Sequence, residues 1–192
     1  MTPLIAAGCL HDRPTTPTPP APAPSPGTWT LTALSGDTVS WQPDLETRAV
    51  VFIFLATECP ISNRVQPELS RLAAEFEPGV AFLPVYPNDS EDAGMIRRHR
   101  EDFHLPPEAY RDPEQRLADA LGATVTPEVV VLTPDGRLIY RGRIHDQFSG
   151  LGSGRPAPVH HDLEDALTAH LAGAPAIGKV TQAAGCRIER AP

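Results

Sequence analysis

The sequence predicts an α/β domain in which a central mixed β-sheet is flanked by helices. Three observations support this prediction. The run AVVFIFLA at 49–56 is continuously β-branched and aromatic, which is typical of a central strand covered on both faces. A helical stripe and then a second apolar run, GVAFLPVYP at 79–87, follow it and predict a β-α-β unit. Further along, two β-rich runs flank Pro134-Asp135-Gly136, which predicts an antiparallel hairpin.

The first elements are a hairpin, the central strand and a helix. The segment TWTLTALSGDTVSW, which starts near Trp29, turns at Ser35-Gly36-Asp37 and predicts an N-terminal β-hairpin extension. After the central strand, Pro60 suits the first turn of a helix, because its missing N–H costs nothing there. The apolar positions of this helix lie on one stripe: Ile61, Val65, Leu69, Leu72, Ala73 and Phe76.

Further helices are expected in the second half. A polar helix is predicted around 90–103. The next helix is expected to have Asp112 as its cap, Pro113 in its first turn and Gly122 as its stop. The segment HDLEDALTAHLAG at 161–173 predicts the final helix.

Length, charge and cysteine count limit the possible functions. The chain has 192 residues, enough for one domain with a hydrophobic core. Its net charge of −8 argues against nucleic acid or an anionic membrane surface as a partner. Three cysteines are an odd number, so the chain is not a dense disulfide scaffold. No apolar run approaches the roughly 20 residues that span a bilayer. No cofactor or metal site is predicted.

The first 27 residues differ from the rest. Residues 1–27 end in a Pro/Thr/Ala tract that cannot bury a core and is expected to be a disordered linker. The preceding small-residue run resembles a bacterial lipoprotein cleavage box, in which Cys9 becomes the acylated first residue. This interpretation predicts a protein of the cell envelope or periplasm that contacts the membrane only through a lipid anchor. The alternative is a disordered cytoplasmic tail with an incidental cysteine.

Several motifs of the domain resemble a known family. VFIFLATECPIS resembles the strand, loop and helix of the thioredoxin fold, in which the first active-site cysteine, here Cys59, opens a helix. Pro67 lies at the offset where thioredoxins place a similar proline. TVTPEVVVL looks like the segment whose cis-proline faces the active thiol, which implies a cis bond between Thr126 and Pro127. With the order of elements, residues 28–173 look most like the redoxins, the branch that holds peroxiredoxins and thioredoxin-like membrane-anchored reductases.

Two departures from the family patterns leave the reaction open. The thioredoxin motif has two cysteines flanking two residues, whereas Ser62 occupies the second position here. The peroxiredoxin motif places Thr or Ser three residues before its cysteine, and here that residue is Ala56. The resemblance implies an oxidoreductase that uses Cys59 for exchange with a protein or small-molecule thiol or disulfide. The alternative is a thiol peroxidase in which peroxide oxidises Cys59 to a sulfenic acid.

The reactivity of Cys59 depends on its charge. The N–H groups and the dipole at a helix N-terminus favour a thiolate. Ser62 lies one turn along and is expected to donate a hydrogen bond to it. The resemblance also places the backbone of Thr126, next to Pro127, beside the sulfur. Glu58 acts in the opposite direction, because a nearby carboxylate raises the pKa of a thiol. The sequence leaves the sign of the net shift open, and a buried, inert cysteine is the alternative.

A thiol in a mixed disulfide needs a second thiol for its release. Cys186 lies in the C-terminal segment 174–192, which lacks helical or strand periodicity. We expect it to be the resolving thiol; a static disulfide partner and an unrelated free thiol are the alternatives. A copper-binding or catalytically silent module is a further alternative, in which Cys59 and His160-His161 supply the copper ligands.

Overall fold

The computed structural model describes residues 27–106 and 108–189. The helices in that part of the chain are α1 (Pro60–Phe76), α2 (Ala93–Asp102), α3 (Arg116–Leu121) and α4 (Asp162–Leu171). The first six strands are β1 (Trp29–Ala33), β2 (Thr38–Trp41), β3 (Ala49–Phe54), β4 (Val80–Tyr86), β5 (Tyr110–Arg111) and β6 (Val125–Thr126). The remaining strands are β7 (Glu128–Leu132), β8 (Leu138–Gly142), β9 (Phe148–Gly150), β10 (Ser153–Gly154), β11 (Lys179–Val180) and β12 (Cys186–Arg187).

Eight of the described strands form one mixed sheet in the order β11-β8-β7-β3-β4-β5-β1-β2. β4 pairs in parallel with both β3 and β5, because helical connections return the chain to the same edge. The predicted hairpin of β7 and β8 lies antiparallel beside β3. The N-terminal hairpin of β1 and β2 joins the sheet through β5. The predicted α/β architecture, a central mixed sheet with flanking helices, is confirmed.

β3 lies at the centre of this sheet, and all of its residues are buried. Its side chains alternate between two cores. Val51 and Ile53 share one core with the apolar stripe of α1 and with Leu163 of α4. Phe52 and Phe54 face the other core, which holds residues of β1 and α3. Both faces therefore need apolar side chains, which explains the continuous run in the sequence.

The predicted start of α3 is wrong. The helix begins at Arg116, three residues after Pro113, and Gln115 before it has a left-handed backbone with φ of 56°. Asp112 still acts as a cap, but its carboxylate accepts hydrogen bonds from the backbone N–H groups of Leu117 and Ala118. A turn therefore separates the capping side chain from the helix that it stabilises. Gly122 ends the helix with φ of 72°, as predicted.

The C-terminal segment contributes two short strands in spite of its irregular sequence. β11 pairs in parallel with β8 at the edge of the main sheet, and β12 pairs antiparallel with β6. Residues 174–189 are therefore joined to the domain by backbone ladders at two places. The expectation for Cys9 lies outside the described residues. None of the described helices has the length and hydrophobicity to cross a membrane.

Candidate active site

Cys59 lies where β3 leads into α1. It is the N-cap residue of α1, and Pro60 takes the first helical position, where no N–H is needed. The preceding strand is fully buried, so the turn holds Cys59 at the edge of the core with only 2% of its surface exposed. The Cys59 thiol donates a hydrogen bond to the carbonyl oxygen of Thr126, with an Sγ–O distance of 3.0 Å. The predicted position at a helix N-terminus is present in the structure.

The Cys59 sulfur is surrounded by hydrogen-bond donors. Burial alone would raise its pKa, but hydrogen bonds from the Cys186 thiol and from the backbone and side chain of Ser62 lower the pKa below its ordinary value. The Ser62 hydroxyl is fully buried and also accepts from the N–H of Ala56 at 3.4 Å. The hydroxyl proton is therefore available to the sulfur. The pKa of Cys59, whose direction of change the sequence left open, is therefore lowered. Glu58 is exposed and is not among the causes of this shift.

Pro127 and the C-terminal strand complete the site. The peptide bond between Thr126 and Pro127 is cis, as the resemblance implies. β12 pairs with the residues just before it, and its Cys186 lies directly opposite Thr126. Gly185 makes this approach possible, since a Cβ atom there would lie 2.0 Å from the Thr126 carbonyl oxygen. The structure thus brings together all five residues predicted for the site: Cys59, Ser62, Thr126, Pro127 and Cys186.

The two thiols differ in acidity. Burial, together with the hydrogen bond to Cys59 and the negative charge of its thiolate, raises the pKa of Cys186 to about 11. Both cysteines are free thiols in this structure. Cys59 is therefore the more acidic of the two thiols, and a thiolate formed there would accept a hydrogen bond from the Cys186 thiol. A thiol reacts as its thiolate, so the lower pKa of Cys59 suits it better to nucleophilic attack than Cys186, whose pKa is raised.

The backbone of Thr57, two residues before Cys59, is held by hydrogen bonds on both sides. Its N–H donates to a carboxylate oxygen of Glu91. Its carbonyl accepts from the side-chain amide of Asn63 at 3.1 Å, and the Asn63 oxygen lies 2.9 Å from Nε2 of His99. Because that oxygen can only accept, His99 carries its proton on Nε2, and Nδ1 accepts from the Tyr86 hydroxyl at 2.9 Å. Burial and the charge of Arg100 lower the pKa of His99, which keeps this neutral form.

The Glu91 carboxyl group is buried beside this turn. It is 4% exposed, and its second oxygen has no hydrogen-bond partner among the described residues. Burial raises the pKa of Glu91 above its ordinary range, although the hydrogen bonds from Thr57 oppose the shift. Glu91, Asn63 and His99 are not among the residues that the sequence predicts for the site. A signal existed for Glu91, since β3 and β4 are parallel and the residues that follow such strands meet at one edge of a sheet.

The residues after Cys186 fasten β12 to the domain. Ile188 is 5% exposed in the second core, and its N–H donates to the carbonyl of Thr124 at 3.1 Å. Glu189 donates through its N–H to Asn88 at 3.1 Å, and its carbonyl accepts from Gln115. We call residues 185–189 the C-terminal strap. The strap lies on the edge of β6, opposite Thr126, whose carbonyl accepts the hydrogen bond of the Cys59 thiol.

A cleft of about 500 Å³ opens beside the two cysteines. Its walls come from the start of α1, from the hairpin of β9 and β10, and from the strap, with Pro60, Arg64, Phe148 and Cys186 among its lining residues. The guanidinium of Arg64 lies 4.9 Å from the centre of the Phe148 ring, in a cation–π contact. The cleft therefore reaches Cys186 from solvent, whereas Cys59 lies deeper.

Other candidate groups are engaged away from Cys59. His161 lies 3.5 Å from Glu68 and 3.8 Å from Glu164, and these three side chains could share a metal ion. Arg71 forms ion pairs with both carboxylates, so a positive charge already occupies that place. The backbone N–H of His160 donates to the Asp146 carboxylate, and the residue is exposed. The copper alternative needs a histidine ligand at the sulfur, but the partners of the Cys59 sulfur among the described residues are Thr126, Ser62 and Cys186.

Comparison with known proteins identifies the family. The model of the AhpC/TSA family matches residues 21–141. The crystal structure of an uncharacterized conserved protein from Geobacillus kaustophilus is 28% identical, with a TM-score of 0.72 over 88% of this chain and 92% of that one. A hypothetical protein from Sinorhizobium meliloti 1021 is 22% identical, with a TM-score of 0.71 over 86% of this chain and 94% of that one.

A secreted Mycobacterium tuberculosis disulfide oxidoreductase, described as homologous to E. coli DsbE, has the same fold. It is 21% identical, with a TM-score of 0.50 over 75% of this chain and 94% of that one. No curated protein matches the sequence. The similar structures confirm the thioredoxin-like fold, and the family model covers more than half of the residues. The chain belongs to the AhpC/TSA family of thioredoxin-fold redoxins.

Proposed function

We propose that the protein is a thiol-disulfide oxidoreductase in which Cys59 is the nucleophile and Cys186 is the resolving thiol. One observation carries this proposal above the others. Cys186 is held opposite Thr126 on β12, and the Thr126 carbonyl accepts the hydrogen bond of the Cys59 thiol, so both cysteines adjoin the same residue. The second thiol that the Cys-Pro-Ile-Ser motif lacks is therefore supplied by a distant part of the chain.

The reaction has two exchange steps. The Cys59 thiolate attacks one sulfur of a substrate disulfide, forms a mixed disulfide and expels the other sulfur as a thiolate. Cys186 then loses its proton and attacks the Cys59 sulfur, which forms the Cys59–Cys186 disulfide and expels the second substrate thiolate. The substrate gains two electrons, and the enzyme loses two. An external thiol returns the enzyme to the reduced state.

The arginines at the end of β8 offer no free cation to a peroxide, which favours disulfide exchange, whereas Arg64 in the cleft wall is the cation that the peroxidase alternative would use. A peroxide oxygen that leaves as hydroxide gains from a nearby free cation. Arg141 on β8 and Arg143 just after it are both engaged by carboxylates. Arg143 pairs with the buried Asp162 at 2.7 Å, and Arg141 lies 4.0 Å from Glu128. Neutral donors, Ser62 and Cys186, stabilise the thiolate instead.

The place of action is the cell envelope, with Cys9 as the lipid-anchored residue. The support is the small-residue run before Cys9 and the proline-rich tract after it, which would act as a tether. Thiol-disulfide exchange fits an envelope location, because disulfides form and persist there. If the protein is purified from its own cells, its mass should show acyl chains on Cys9; an unmodified Met1 would contradict the anchor.

The function is tested by competition between two oxidants. The reduced protein is mixed with a small disulfide or with hydrogen peroxide, and oxidation of Cys59 is followed by mass. We expect faster oxidation by the disulfide and accumulation of a mixed disulfide on Cys59 in the Cys186→Ser variant. A faster reaction with peroxide, with sulfenic acid on Cys59 in that variant, would establish the peroxidase alternative.

A further inference from the structure

The nucleophile is covered in the reduced protein. Cys59 is 2% exposed, so a substrate sulfur cannot reach it while every neighbour stays in place. Its other neighbours belong to β3, α1 and the Thr126–Pro127 turn, which are parts of the core. The strap is held by less: two residues of β12 pair with β6, Ile188 is its one buried side chain, and Ile188 and Glu189 add individual hydrogen bonds. An element with so short a ladder is the one that can open locally while the core remains folded.

Departure of the strap would leave an open strand edge beside the sulfur. The strap pairs with Val125 and Thr126 and also bonds the carbonyl of Thr124. These backbone groups need new partners when it leaves, and an extended peptide supplies them in the same antiparallel register. A cysteine of that peptide placed opposite Thr126 would lie where Cys186 now lies, next to the Cys59 sulfur.

We infer that the strap is a built-in copy of the substrate segment, and that the substrate is a polypeptide disulfide whose sequence around the reactive cysteine resembles Gly185-Cys186-Arg187-Ile188. This inference rests on the proposed function and names its substrate class. The reactive cysteine is preceded by glycine and followed, two positions later, by an aliphatic residue. The segment binds to β6 by displacing the strap.

Glycine is required before the reactive cysteine because the backbone there lies close to the backbone of Thr126 and Pro127. A Cβ atom at the residue before the cysteine would lie 2.0 Å from the Thr126 oxygen and 3.0 Å from the Pro127 nitrogen. Both atoms are backbone and sit beside a buried site, so they cannot move aside as a flexible side chain would. A peptide with alanine at this position must therefore lie farther from Cys59 than one with glycine.

The aliphatic requirement comes from the second core. Ile188 fills a place there that is 95% shielded from solvent, since only 5% of its surface is exposed. A substrate that displaces the strap removes Ile188 from the second core. The core keeps its contacts only if an aliphatic side chain of the substrate takes the same position. Arg187, between the two, is exposed, so the structure sets no requirement at that position.

Competition for one edge also explains how the peptide is released. While the peptide occupies β6, it is joined to Cys59 by a mixed disulfide and the strap is displaced. When the strap returns, it pushes the peptide strand off and brings Cys186 to the Cys59 sulfur. Cys186 attacks that sulfur, the Cys59–Cys186 bond forms, and the peptide leaves as a thiolate with the electron pair of the broken bond.

The test uses the full-length Cys9→Ser/Cys186→Ser variant, in which Cys59 is the only thiol and the strap remains. Three seven-residue peptides are compared: the strap sequence AAGCRIE, a copy with alanine for its glycine, and a copy with serine for its isoleucine. Each peptide carries 5-thio-2-nitrobenzoate on its cysteine as a mixed disulfide. Attack by Cys59 on the peptide sulfur releases the coloured thiolate. Rates are divided by those of the same peptides with glutathione.

We expect the strap peptide to react at least about tenfold faster than the alanine and serine copies, which corresponds to about 1.4 kcal/mol. Equal normalised rates for the three peptides would overturn the inference. If 5,5′-dithiobis(2-nitrobenzoate) modifies Cys59 while the peptides react equally, the proposed function stands and only the substrate class is wrong. If no disulfide modifies Cys59, both are wrong.

Discussion

Shortening Ile188 should open the strap and expose Cys59. Ile188→Ala removes three carbon atoms from a side chain that is 5% exposed. At about 0.8 kcal/mol per buried methylene, the docked strap loses roughly 2.4 kcal/mol, near the lower end for such truncations. Since 1.4 kcal/mol is a factor of ten, the open fraction should rise about 50-fold. Ile188→Val removes one carbon atom, which predicts a rise of about fourfold.

The assay is alkylation of reduced protein with iodoacetamide, followed by peptide mapping that reports Cys59 separately. Iodoacetamide can reach Cys59 only in molecules whose strap is open, so the alkylation rate of Cys59 is proportional to the open fraction. Ile139→Ala is the matched control, because Ile139 is 6% exposed but lies on β8. It should lower the free energy of unfolding without a comparable gain in the alkylation rate. Equal rates in wild type, Ile188→Val and Ile188→Ala would show that the strap is not the cover.

Three further predictions concern the groups around Cys59. Gly185→Ala should speed alkylation of Cys59, because its Cβ would collide with the Thr126 carbonyl, whereas Gly150→Ala, which meets open space, should not; equal rates in both variants would contradict this. The pH profile of alkylation should give a higher pKa for Cys59 in Cys186→Ala than in Cys186→Ser, because serine keeps a donor to the sulfur, and identical profiles would argue against that hydrogen bond. Burial raises the pKa of Glu91, so its charge destabilises the fold once the pH exceeds the carboxyl's unfolded pKa of about 4.3. Glu91→Gln should therefore gain stability over wild type in urea unfolding as the pH rises from 4 to 7, and a difference that does not change with pH would refute the role of the charge.

Local patterns predicted the central part of the fold. β3 is a continuous apolar run because both of its faces are buried, and the stripe of α1 shows its helical period directly. The start of α3 was misplaced, since Asp112 caps the helix across a turn and not from the position next to it. The sequence of the strap has neither helical nor strand periodicity. Two residues of β12 pair with β6 only because Gly185 permits the approach, and such tertiary pairing leaves no periodic signal.

The site was predictable where its chemistry lies in one segment. Cys59 and Ser62 stand in one motif, and Thr126 and Pro127 followed from the family resemblance. The network behind Thr57 was not predictable, because its members come from separate elements. Asn63 lies on α1, Tyr86 at the end of β4, and His99 on α2. Each is an ordinary polar residue in its own segment, and only the packing of α2 beside α1 makes them one hydrogen-bonded chain.

The proposed function requires that Cys59 and Cys186 form a reversible disulfide. The most direct measurement is peptide mapping of the full-length protein after oxidation by a small disulfide, without reductant, and again after treatment with dithiothreitol. We expect the oxidised sample to give two peptides joined by a disulfide between Cys59 and Cys186. After the folded protein is treated with dithiothreitol, the same two peptides should appear separately. Oxidised protein in which Cys59 carries the small thiol or a sulfenic acid, with Cys186 still free, would contradict the proposed function.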